Sequence, residues 1–185
     1  RSHVKAAMER DPADPVVLML AGRLALMDGR YGEAVEVLHQ AMGLEGGQDA
    51  ARLLTLATAT RDATRGYRSH VSSGGHFVIR HEPGPDVVMV PLLDRVLEQA
   101  WEELTPLFGV APKEPIRVEV YPRVEVLAAV SPLTEDEIKT SGTIALCKYN
   151  RLMITSPRDL VYGYGWADTV AHEMIHLLIT RRSHN

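Results

Sequence analysis

Two histidines four residues apart, His172 and His176, enclose an acidic residue, Glu173, in a chain of 185 residues. On a helix, positions i and i+4 share one face a turn apart, so both imidazoles point toward a common spot. Neutral imidazoles in that arrangement are good ligands for a divalent ion, zinc above all. Glu173 falls between them, where its carboxylate can take a proton from a water activated by the ion. The chemistry implied is metal-assisted hydrolysis, with His172 and His176 as metal ligands and Glu173 as the catalytic base. From ordinary residue usage, the pattern H-E-x-x-H should arise by chance in on the order of one chain of this size in a few hundred.

The surrounding residues sharpen that expectation. Between Val170 and Ile179 the only polar side chains are the three of the motif. A helix apolar nearly all round is a buried one, and buried imidazoles and carboxylates must be paired or bound to a metal. The competing reading is a core helix whose histidines bond to nearby backbone. Arg181 and Arg182 fall in or just past the last turn, where cations suit a helix C-terminus.

A catalytic zinc usually takes three protein ligands and keeps a fourth position for water. The extended form H-E-x-x-H-x-x-G-x-x-H is excluded, because Ile179 and Arg182 stand where Gly and His are required. His184 reaches the site only if the chain turns back sharply, and reads instead as a tail residue. Asp159 and Asp168 have no supporting spacing. A carboxylate beyond Asn185 fits better, which leads us to expect that the chain is part of a longer protein.

The elements that must position this motif fall into two halves. In the first, Asp14-Pro15 opens a helix through Leu18, Ala21, Gly22 and Ala25, and Gly29 suits the turn into a second helix through Ala34, Leu38 and Ala41. Small residues at Ala21, Gly22, Ala34 and Ala41 let the two helices approach closely. Residues 3–10 read as the end of a preceding helix, and Asp49 to Thr64 as a further amphipathic one. A break rich in Ser and Gly follows from Gly66 to Gly75.

The second half alternates strands and helices. Strands are expected over His76–His81 and Ile116–Tyr121, with a helix between them from Asp86 to Phe108. Arg123 to Val130 reads as a short helix, and Thr134 to Glu137 as a capped helical turn. Thr143–Lys148 and Arg151–Thr155 flank Tyr149-Asn150 as a hairpin. After a loop over Pro157–Gly165, the motif helix runs from Trp166 to about Thr180. This order gives an α+β fold with a small, mostly antiparallel sheet. The strand Arg151–Thr155 is the expected sheet edge beside the cleft.

Composition narrows the function classes. Apolar residues make up 45%, ample for a core, and the net charge of −4 with mixed signs gives no reason to expect nucleic-acid binding. No apolar run approaches the roughly eighteen residues of a membrane span. Arg1 already falls in a helix-like pattern, which leaves the compartment open. The single Cys147 excludes an internal disulfide and reads as a small strand residue. His70, His76 and His81 are too dispersed for ligands. Glu102-Glu103 and Glu135-Asp136-Glu137 read as solvated faces, and Tyr162 and Tyr164 as packing residues.

Two family resemblances follow. The spacing of Leu18, Ala21, Gly22, Ala25, Tyr31, Glu33, Ala34, Leu38 and Ala41 resembles the tetratricopeptide repeat, over roughly residues 15 to 46. Leu18 replaces that repeat's usual large aromatic, and Gly46-Gly47 its terminal proline. The resemblance implies a helical-repeat segment over 1–65 that binds a peptide or a protein partner.

From about residue 75 to 185 the chain resembles the peptidase-MA-like gluzincin domain. The residues that carry this are His76-Phe77, Thr143-Ile144-Ala145, Arg151-Leu152-Met153-Ile154 and Thr169-Val170-Ala171-His172-Glu173-Met174-Ile175-His176, of which only the motif is sharply specific. The resemblance implies a zinc peptidase acting on peptide or protein substrates. It also implies a third ligand, a Glu on a helix after the motif helix. The alternative is a non-catalytic interaction module that joins the repeats to a degenerate peptidase-like domain.

Overall fold

The computed structural model describes residues 2–183 as two compact units, one ending at Arg65 and the other starting at Gly66. The first is all helical: α1 (Ser2–Arg10), α2 (Pro15–Met27), α3 (Tyr31–Met42) and α4 (Ala51–Ala63), with a 3-10 turn at Gly47–Ala50. Asp14 starts α2 by accepting bonds from the amides of Val16 at 2.7 Å and Val17 at 3.1 Å, while Pro15 occupies a first-turn position that needs no amide. Leu18, Ala25 and Leu26 of α2 are buried, as are Ala34, Leu38 and Ala41 of α3. At Gly22 a Cβ atom would fall 2.4 Å from Leu38 Cγ, so these two helices meet with no room for a side chain there.

In the second unit five strands form one mixed sheet: β1 (Arg68–Val71), β2 (Phe77–His81), β3 (Ile116–Tyr121), β4 (Ala145–Lys148) and β5 (Arg151–Thr155). Their spatial order is β1-β2-β3-β5-β4. The outer pairs are antiparallel, but β2 with β3 and β3 with β5 are parallel, in registers that place Ile79 beside Val118 and Val118 beside Leu152. The expected mostly antiparallel sheet is therefore corrected to a mixed one. Its cause is α5 (Val90–Phe108), which carries the chain from β2 back to the start of β3, the crossover that parallel neighbours require. The expected edge is corrected too. β5 lies between β3 and β4 and all its residues are buried, so β4 is the edge on that side. β1 occupies part of the stretch expected to be a break. It is exposed throughout, so no buried face marks it in the sequence.

The two faces of this sheet differ in chemistry. One carries Phe77, Ile79, Ile116, Val118, Val120, Leu152 and Ile154 into an apolar core with Leu93, Leu97 and Trp101 of α5 and four residues of α8 (Trp166–Ser183). The other buries Glu119 and Arg151, both fully. Arg151 Nη1 donates to Glu119 Oε2 at 2.6 Å, Arg80 donates to Glu119 Oε1 at 2.8 Å, and the Tyr121 hydroxyl donates to Glu119 Oε2 at 2.6 Å. Arg151 Nη2 also reaches the Val130 carbonyl at 2.9 Å, just past α6 (Val124–Ala129). Buried charges persist only when paired and hydrogen-bonded in this way. After α6 comes α7 (Glu135–Ser141), which opens with the expected cap. Thr134 and Glu137 exchange bonds in a full capping box.

A second polar cluster fastens the β1–β2 hairpin to α5. Asp94 accepts from the Ser73 amide at 3.0 Å and the Ser73 hydroxyl at 2.8 Å, with His70 at 3.3 Å. Glu98 accepts from the Ser72 hydroxyl and pairs with His76 Nδ1 at 2.6 Å, and the His76 ring stacks on Trp101. Burial raises both carboxyls, but these bonds outweigh it and hold both below the ordinary carboxylate range. A depressed carboxylate contributes stability that is full above its unfolded value of about 4 and drains as pH falls through the folded value. Glu98→Gln is expected to lower the stability of this unit at neutral pH and to flatten its loss below about pH 4. Chemical denaturation across a pH series checks both.

Candidate metal centre

The site is built on α8, whose first turn is set by the loop before it. The Thr169 amide and hydroxyl both bond to the Gly165 carbonyl at 3.1 Å. The Tyr164 hydroxyl donates to the Thr155 carbonyl at 2.5 Å, which ties this loop to the end of β5. That bond and its partial burial agree with a packing role for Tyr164, whose phenol is pushed well above its ordinary range by burial. For Tyr162 the expected packing role is corrected, because its side chain stands almost wholly in solvent.

Val170, Met174, Leu177 and Leu178 form the buried stripe of α8, spaced i, i+4, i+7 and i+8. Positions two away from that stripe point the opposite way, and there lie His172 and His176, both exposed. The expectation of a helix buried all round is thus corrected: Ile179 is also about half exposed, and α8 has one wet face. Glu173 sits between the wet and buried faces, half-buried.

His172 Nε2 and His176 Nε2 are 3.0 Å apart. Two nitrogens bound to one tetrahedral ion at 2.0–2.1 Å stand about 3.3 Å apart. The observed pair fits such an ion with only a small opening. The same separation also fits a direct hydrogen bond between the two ring nitrogens, which holds the rings together without a metal. The ligand atoms of His172, Glu173 and His176 all lie within 4.8 Å of one another. This set is the single group of three or more His, Cys, Asp or Glu among the described residues with metal-holding geometry. Two imidazole nitrogens beside a carboxylate form a donor set that several divalent transition metals accept, zinc among them.

The other candidates take different places. Asp159 accepts from the Val124 amide at 2.8 Å, at the start of α6. Asp168 lies in the first turn of α8, where its charge suits the helix dipole. His70 and His76 belong to the hairpin cluster, and His81 Nδ1 lies 2.8 Å from the Glu82 carbonyl. His184 lies outside the described residues.

Sequence reasoning gave Cys147 no relation to the motif. It lies on β4, partly buried against the core that α8 completes, and its thiol is pushed up to about 12, first by burial and next by the charge of Glu173. A thiol of that kind is a poor nucleophile. The signal that links it to the motif helix is tertiary, and nothing in the spacing of the chain carries it.

Zinc at one hundred times its dissociation constant is expected to raise the unfolding free energy of this unit by about 2.7 kcal/mol. The shift in melting temperature reads this, and His176→Ala is expected to abolish it. Comparison of the chain with protein-family models, with curated proteins and with solved structures finds no match in any of the three.

Proposed function

We propose that this chain carries the metal-binding part of a zinc peptidase of gluzincin type, appended to a helical unit that binds a protein partner. The observation that supports it above all is the preassembled pair of imidazoles, 3.0 Å apart on a wet helix face, with a carboxylate in the same cluster. A bound zinc ion would supply Lewis acidity that polarises a carbonyl and makes water nucleophilic near neutral pH.

The chain's own residues do the rest. His172 and His176 would hold the ion through their ring nitrogens. Glu173 takes a proton from the attacking water at its carboxylate and delivers it to the departing amine. The free edge of β4, on the side away from β5, orients an extended peptide as an added strand. Backbone bonds then supply affinity with little dependence on sequence. Substrates of this class are peptides or unfolded protein segments.

The second reading is a non-catalytic interaction module. One observation favours it: no further His, Cys, Asp or Glu joins the cluster among the described residues, so a third protein ligand is not placed there. The tetratricopeptide-like helices would then be the working part. Glu173→Gln separates the readings. The peptidase reading expects wild-type zinc content in this variant with hydrolysis of an unstructured peptide reduced by at least about a thousandfold, in line with loss of a general base and its partner proton transfer. Equal hydrolysis by the variant and the wild-type chain would reject the scheme.

A further inference from the structure

The outer side of α5, with the turn that leads into it, carries apolar surface that the core does not use. Met89, Val90, Leu93 and Leu97 are buried, whereas Val87, Val88 and Leu92 are 49%, 68% and 45% exposed. Pro85 and Pro91 are exposed beside them. Apolar residues exposed singly are ordinary, but five within the eight positions from Pro85 to Leu92 make a patch. The patch is held rigidly. Asp86 accepts from the Ser156 hydroxyl at 2.6 Å and from Arg158 Nη2 at 3.0 Å, which ties the 3-10 turn Pro85–Met89 to the loop after β5.

Pro91 also lines a shallow groove of about 430 Å³ along α5. Asp94, Glu98 and Glu102, at four-residue intervals on the helix, line it together with Arg95. With histidine counted as neutral, three carboxylates and one guanidinium leave two net negative charges. Ser72 and Ser73 fix Glu98 and Asp94 through hydroxyl and amide donors, which carry no charge and leave the negative potential of the groove standing. An apolar patch and an acidic groove thus adjoin at Pro91, both of them preorganised.

Charge selects the occupant. An anionic bilayer or a nucleic acid would be repelled by the acidic half. A metal ion has no use for the apolar half, and at Asp94 and Glu98 it would have to displace the donors of the hairpin. A cationic side chain needs no coordination bond, because it gains from the potential of the groove at a distance. Its aliphatic stem and neighbours suit the patch. We propose that this face of α5 docks a partner-protein segment of alternating aliphatic and basic side chains, with the aliphatic ones on Val87, Val88 and Leu92 and a lysine or arginine over the groove. None of these residues belongs to the cluster of His172, Glu173 and His176, so docking here does not depend on zinc.

The test is fluorescence anisotropy of a labelled hexapeptide of alternating leucine and lysine, titrated with the full chain. Counterparts with glutamate for lysine, or serine for leucine, are run beside it. The wild-type chain is expected to bind the leucine–lysine peptide with a dissociation constant below about 1 mM, and each counterpart at least about tenfold more weakly. Val88→Ser combined with Leu92→Ser is expected to weaken binding about fivefold or more. Glu102→Gln leaves the bonds of the hairpin to Asp94 and Glu98 intact and is expected to weaken it about threefold at low salt, a difference that closes in about 0.5 M salt. All three positions are exposed, so melting temperatures are expected to stay within about 2 °C of wild type. Equal affinity of the wild-type and variant chains, equal affinity for the glutamate peptide, or no binding below about 1 mM would overturn the proposal.

Discussion

Burial of Val170, Met174, Leu177 and Leu178 along one side of α8 sets the rotation of that helix about its axis. Fully burying side chains of this size contributes about 1.5–3 kcal/mol each, so turning the helix to hide the histidines would expose several times what it gained. The imidazoles are consequently driven outward by the packing of residues that do no chemistry. Glu173, a single residue from His172, comes to rest at the boundary, with its charge felt by Cys147 on β4. The outward pair of imidazoles and the half-shielded carboxylate both descend from that stripe.

The sheet that receives α8 is stiffened from its other face. Glu119 on β3 and Arg151 on β5 are fully buried and bonded to one another across the parallel pair, with Arg80 on β2 and Tyr121 completing the set. A slip of register by one residue would move Glu119 and Arg151 to the apolar face and strand two charges among aliphatic side chains. Polar specificity on one face thus fixes the register that the apolar core on the other face requires. The hairpin cluster of Asp94 and Glu98 serves α5 in a similar way, holding the helix against which α8 packs.

Much of this was legible in the sequence. The helix boundaries in the first unit, the close approach at Gly22, the capping box at Thr134 and the hairpin around Tyr149-Asn150 all rest on local rules of spacing and turn chemistry. What was misread depended on partners far away in the chain. β1 has no buried face, and edge strands need none. The parallel pairing of β2 with β3 was implied by the helix between them but was outweighed by the hairpin signal further on. Alternation in Ile116–Tyr121 sets Glu119 on the face opposite Val118 and Val120, but it is Arg151, more than thirty residues later, that allows that carboxylate to be buried. For the site, the motif fixed which residues come together. The apolar neighbours Ala171, Ile175 and Ile179 disguised the wet face, because their exposure depends on which side of α8 the sheet occupies.

The central claim is that His172 and His176 bind one divalent ion through their ring nitrogens. X-ray absorption at the zinc edge, on the zinc-loaded chain, tests it most directly. The account predicts imidazole scattering from two ligands at about 2.0–2.1 Å, completed by oxygen and with no sulfur. Absence of imidazole scattering, or a sulfur shell near 2.3 Å that would place the ion on Cys147, would contradict it.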